Sequence, residues 1–178
     1  MPEAEKTPPT PASLLCQDCG LCCTGHLFIW AKLRPSELDP AEALGLTVFR
    51  ADPNQRGFSQ PCPLWQGRCA IYTSPQYPHI CRAYRCTLLK ALQAEEIPLP
   101  AALMQARQAK EHMQTLEEHL PQGPGGFRER LVAKIESLPP APARSPAQQE
   151  FFTRAATLLE VYGQVFGVHD LLEAPHKP

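Results

Sequence analysis

The chain has 178 residues, 43% of them hydrophobic and 20% charged, which suits one domain with its own core and is short for two. A formal net charge of -1 with no Lys/Arg block leaves nucleic-acid binding without its usual electrostatic source. No run approaches the roughly 20 apolar residues that span a bilayer, and the first 15 residues lack the basic start and apolar stretch of a secretory signal, so the expected address is cytoplasmic, with neither nucleic acid nor membrane as partner.

Residues 1–13, which open MPEAEKTPPTPA, have nothing periodic to bury and read as a disordered leader. Residues 14–90 are irregular and carry every cysteine; Leu27–Trp30 is the expected strand there, and a helix opened by Pro35 runs to Leu44, with Gly45 ending it. Residues 91–178 shift to helical periodicity as a further portion of the same domain. Ala102, Ala106, Ala109, Met113, Leu116 and Leu120 form one apolar stripe, closed by Pro121 and Gly123. Phe127, Leu131, Ile135 and Leu138 form a second, ending before the Pro139–Pro142 connector. Ser145, Pro146 and Gln148 then supply an N-cap, a first helical residue and a capping-box partner for a third stripe of Phe151, Ala155, Leu158, Tyr162 and Val165, widened by Phe152, Leu159 and Phe166.

The eight cysteines are Cys16, Cys19, Cys22, Cys23, Cys62, Cys69, Cys81 and Cys86. In a reducing compartment dense cysteine points to metal binding or catalysis before disulfides. A two-residue gap lets a turn bring two sulfurs to one centre, and Gly20 gives the backbone freedom to approach them. Cys16, Cys19 and Cys22 follow the start of a bacterial ferredoxin run, but the closing Cys-Pro is missing, so further ligands must come from Cys62, Cys69, Cys81 or Cys86. Eight thiols exceed one four-thiolate site; they fit two, or one site with additional buried or redox-active cysteines. The adjacent Cys22 and Cys23 cannot easily serve one centre together. Arg68, Arg82 and Arg85 could offset thiolate charge, and His26 or His79 could complete a mixed Cys/His site. Trp30, Trp65, Tyr72 and Tyr84 are candidates for an apolar wall around the centre. His112 and His119 read as surface residues.

Three stretches in combination resemble the YkgJ-type cysteine-cluster family, described as a zinc- or iron-chelating domain. They are Cys16–Cys23 as CxxCGxCC, Cys62–Tyr72 with Pro63, Leu64 and Ile71, and Pro78–Tyr84 with Cys81 and Arg82. The likeness covers roughly residues 14–90. It departs from the family pattern at Tyr77, where an arginine is usual, and in a Tyr72–Pro78 segment about two residues longer. The resemblance implies a bound metal centre.

The expected fold is α+β and mainly helical, a cysteine-rich metal-binding N-terminal module packed against a C-terminal set of about three helices. The leading functional expectation is an iron-sulfur protein, with a four-iron four-sulfur cluster in an electron-transfer, redox-sensing or accessory role and an unidentified protein as electron donor or acceptor. The alternative is a structural Zn2+ module that presents a protein-interaction surface. A disulfide framework or thiol redox enzyme ranks third. No Ser-centred elbow, paired-carboxylate spacing or HExxH pattern points to a hydrolase, and the sequence leaves enzymatic activity open.

Overall fold

Thr10 opens the first helix, its hydroxyl accepting the Ser13 amide at 3.2 Å, and Pro11 fills the first helical position, where a missing N–H costs nothing. Helix α1 thus spans Pro11–Cys19 in this computed structural model, which describes residues 8–169. It takes in Pro11, Ala12 and Ser13, which the sequence assigns to the leader; the disorder expected of residues 1–7 lies outside the described residues. Gly20 stops α1 in the left-handed region at φ 65°, donating its amide to the Cys16 carbonyl.

The expected strand at Leu27–Trp30 is displaced toward the C-terminus. Leu27 is fully buried with its amide on the Leu21 carbonyl at 3.2 Å, and Phe28 meets the Tyr84 ring edge-on, so this apolar run is spent on packing. Pairing begins only at β1 (Trp30–Lys32). Strands β1 and β2 (Val48–Phe49) lie on either side of β3 (Gly57–Ser59), both antiparallel to it, and Ala31 and Val48 both face Phe58. Between β1 and β2 the expected helix from Pro35 divides into a 3-10 turn, Pro35–Glu37, and α2, Leu38–Ala43, with Gly45 following at φ 85°.

Two short helices, α3 (His79–Ala83) and α4 (Thr87–Gln93), come next. The long helices follow the sequence stripes: α5 is Leu99–Glu117, α6 is Phe127–Glu136 and α7 is Pro146–Val161. The Ser145/Gln148 capping box forms as expected. After α7 a π-helical turn at Tyr162–Phe166 adds a residue to the turn, and Phe166 rather than Val165 enters the core. The described chain is therefore mainly helical with one small sheet.

Two hydrophobic cores result. The larger joins the stripes of α5, α6 and α7 to Leu88, Leu89 and Leu92 of α4, and it also takes Leu15, Leu21 and Leu27 from the cysteine-bearing half. The smaller consists of Leu33, Leu38, Ala41, Leu46 and Phe58 beneath the sheet. Tyr162 is fully buried in the larger core and donates its hydroxyl to the His26 carbonyl at 3.0 Å, tying the end of α7 to the turn after Cys23. Removing that hydroxyl leaves a carbonyl without its donor, so Tyr162→Phe is expected to cost about 1–2 kcal/mol. Urea unfolding checks this, and an unchanged midpoint would contradict the link.

Candidate metal centre

Helix α1 carries Cys16 and Cys19 along its last turns and packs against α4, at whose N-terminus Cys86 serves as the cap. The Cys86 sulfur accepts the Leu89 amide at 3.4 Å, as a capping oxygen would. Beyond Gly20 the chain turns tightly, the amides of His26 and Leu27 both donating to the Leu21 carbonyl, and this turn presents Cys22 and Cys23. Cys19, Cys22 and Cys86 all pack against the larger core.

Cys23 belongs to a different neighbourhood. Its carbonyl accepts the Cys62 amide at 2.7 Å, which draws the second cysteine stretch onto the turn. The loop from Cys62 closes on itself through the Trp65–Cys69 bridge and the Ala70 amide on Leu64. Cys81 lies on α3, held by the His79 amide on the Glu37 carboxylate at 2.6 Å and by the Tyr77 hydroxyl on the Cys81 carbonyl at 3.2 Å. Cys62 and Cys81 pack against the smaller core.

All eight cysteines lie among the described residues and are free thiols. Burial pushes Cys16 and Cys19 up to about 11 and Cys81 to about 12, and also raises Cys22 and Cys23 well above the ordinary thiol value. Cys16 is the one exposed member, yet loss of water on its protein side still dominates. Neighbouring thiols add to these shifts in a revealing pattern. Cys16 feels Cys86 and Cys19, Cys19 feels Cys86, Cys22 feels Cys19 and then Cys23, Cys86 and Cys16, and Cys23 feels Cys81, Cys62 and Cys69 before Cys16. Cys81 in turn feels Cys62 and Cys69.

Opposing burial, backbone amides two or three residues on favour the thiolate: Leu21 at Cys19, Leu64 and Trp65 at Cys62, Ile71 at Cys69, and Leu88 and Leu89 at Cys86. Amides directed at sulfur are what a thiolate-bound metal or cluster requires of its surroundings, and in that respect the donor set fits. Among the described residues, no group of three or more His, Cys, Asp or Glu side chains is arranged, as it stands, to hold a metal ion. Metal binding would have to draw the sulfurs of a neighbourhood together.

The surrounding residues divide unevenly. Trp65 lies flat against Gly20, where an added Cβ would come within 2.0 Å of the indole. Tyr72 pairs with Tyr77, their rings 5.3 Å apart, and the charges of Cys16 and Cys69 both reach Tyr72. Tyr84 stacks edge-on with Phe28, whereas Trp30 packs with Phe49 on the sheet. Arg82 stands over the Tyr77 ring, Arg85 favours the Cys16 thiolate, and Arg68 is exposed. His26 directs Nδ1 to Thr24 at 2.8 Å and Nε2 to Glu117 at 3.7 Å, while the His79 side chain is exposed.

Two contributors escaped the sequence reading. Tyr77 donates its hydroxyl to the Cys81 carbonyl and sets its ring against Tyr72. Lys110 of α5 reaches across to the Asp18 carbonyl and favours the Cys19 thiolate. Only its place beside the buried Ala106, Ala109 and Met113 stripe could have signalled it. His112 lines an open groove of about 550 Å³ between α5 and α7, and His119 turns back to the Thr115 carbonyl. Comparison with models of known families, with curated proteins and with solved structures finds no match.

Gly20→Ala introduces a left-handed alanine and a clash with Trp65, so a loss of roughly 2–4 kcal/mol and a shifted tryptophan emission are expected. Wild-type emission and stability in that variant would refute the contact. The thiols give a pH dependence of known sign. Folded values of about 11 to 12 lie above the ordinary 9.0, so the folded chain holds these protons more tightly than the unfolded one. That stabilisation is full below pH ~9 and is lost as pH rises toward ~12. Reduced, metal-free protein should therefore show a urea midpoint that falls across this alkaline window, and a rising midpoint would exclude buried neutral thiols.

Proposed function

We propose that this is a cytoplasmic metal-binding protein whose cysteines hold an iron-sulfur centre of the four-iron four-sulfur type, with a role in electron transfer, redox sensing or support of another protein's reaction. One observation carries this reading: eight free thiols come from three separate stretches, Cys19, Cys22 and Cys86 packing on one core and Cys62 and Cys81 on the other, with backbone amides favouring the thiolates of Cys19, Cys62, Cys69 and Cys86. The resemblance of Cys16–Cys23, Cys62–Tyr72 and Pro78–Tyr84 to the YkgJ-type cysteine-cluster family supports the same conclusion. A compartment that keeps thiols reduced suits it, and among the described residues no helix is long and apolar enough to cross a membrane.

When bound, the cluster supplies one-electron chemistry. The chain's own contribution is to exclude water with Trp65, Tyr72 and Tyr77, to direct amides at sulfur, and to set the positive charge of Arg85 and Lys110 against the thiolates. The partner is a protein that donates or accepts the electron. A groove of about 390 Å³ containing Lys32, Arg34, Arg56 and His79, two residues from Cys81, suits an acidic face on such a partner. The second reading is a structural Zn2+ module that presents this surface, and closed all-thiol neighbourhoods are equally what zinc uses.

Anaerobic purification followed by iron, sulfide and zinc analysis on one sample tests both. A brown protein with matching iron and sulfide is the expected outcome; zinc alone in a colourless protein selects the alternative, and neither metal refutes the proposal. Cys19→Ala should lower the metal content, whereas His112→Ala should leave it unchanged.

A further inference from the structure

We infer that the eight cysteines form two separate four-thiol centres, Cys16, Cys19, Cys22 and Cys86 in one and Cys23, Cys62, Cys69 and Cys81 in the other, joined by the Cys22–Cys23 peptide bond. This rests on the metal-binding reading and specifies its number and ligands.

Packing alone separates the thiols. Cys19, Cys22 and Cys86 pack against the larger core, while Cys62 and Cys81 pack against the smaller. Backbone placement gives the remaining members. Cys16 lies one helical turn from Cys19 on α1, the helix that docks on α4 and its cap Cys86. Cys23 is hydrogen-bonded through its carbonyl to Cys62, and Cys69 closes the loop that Cys62 begins.

The adjacency of Cys22 and Cys23 thereby acquires a reason. Two consecutive side chains leave the backbone in different directions, and here Cys22 packs against the larger core while Cys23 is bonded through its carbonyl to the loop that Cys62 begins. Each set has four thiols, the number that one tetrahedral zinc or one cubane cluster takes. Gly20, lying between Cys19 and Cys22, admits the Trp65 ring from the loop of the second set against the turn that carries the first. The two neighbourhoods therefore share a wall without sharing a ligand.

The test counts iron, sulfide and zinc per chain in the anaerobically purified full chain and in cysteine-to-serine pairs. Wild type should hold twice the content of one centre, as two zinc or two cubane clusters per chain. C16S/C86S and C69S/C81S each remove ligands from one set and should each keep half. C16S/C69S takes one ligand from each set and should lose more than either. A wild-type content of a single centre overturns the two-centre assignment, whether or not any variant folds. Folded same-set variants that lose everything also overturn it, since one shared centre would then use both groups. Absence of all metal from wild type would instead remove the metal-binding reading itself.

Discussion

The turn between Leu21 and Leu27 is the constraint on which the rest of the molecule depends. Both leucines are buried in the larger core, and the Leu21 carbonyl accepts the amides of His26 and Leu27 at 3.1 and 3.2 Å, so the turn is closed on itself and pinned at both ends. Burial of two leucines is worth a few kcal/mol in gross terms, enough to hold an otherwise irregular segment in place. Tyr162 secures it from above through the His26 carbonyl, and Lys110 secures the preceding helix end through the Asp18 carbonyl. Cys22 and Cys23 sit inside this closed turn. Their directions are set by the leucines on either side, and every later cysteine is placed relative to them.

The electrostatic situation of the thiols follows from that placement. A charged sulfur loses water at each of these positions, so burial is the first cause of every raised value. The chain nevertheless surrounds them with features that favour charge: amides two or three residues ahead, Arg85 beside Cys16 and Lys110 beside Cys19. Burial outweighs these features, so without a cation the thiols are held protonated, and a bound cation would have to share the thiolate charge to reverse that balance. Binding and deprotonation would then proceed together, each removing the cost of the other.

Much of the helical architecture was legible in the sequence because long amphipathic helices repeat their signal. Ala102, Ala106, Ala109, Met113 and Leu116 carry the stripe through about four turns, and Ser145 and Gln148 mark a helix start by chemistry alone. The helix from Pro35 was legible through its proline and Gly45, whereas α3 and α4 were not, since they contain too few residues to display a period. Leu27–Trp30 misled as a strand because an apolar run does not say whether it will pair or plug a core. The candidate cysteines were all evident as residue types. Their grouping was not, because the adjacency of Cys22 and Cys23 says only that two side chains diverge, and deciding which later thiol joins which requires the packing of Cys86 on one core and of Cys62 and Cys81 on the other.

The inequality of the two cores has a dynamic consequence. The segment from Trp30 to Ala83 orders around five buried side chains, Leu33, Leu38, Ala41, Leu46 and Phe58, and strands of two or three residues. So small a nucleus offsets little of the entropy of ordering that much chain, which places the segment at the low end of the local-opening spectrum. Local opening is therefore expected there before it reaches α1 and the long helices. Opening of that kind exposes Cys62, Cys69 and Cys81 to solvent, small-molecule thiols and oxidants well before Cys19 and Cys22, so the two ends of the cysteine turn live on different clocks.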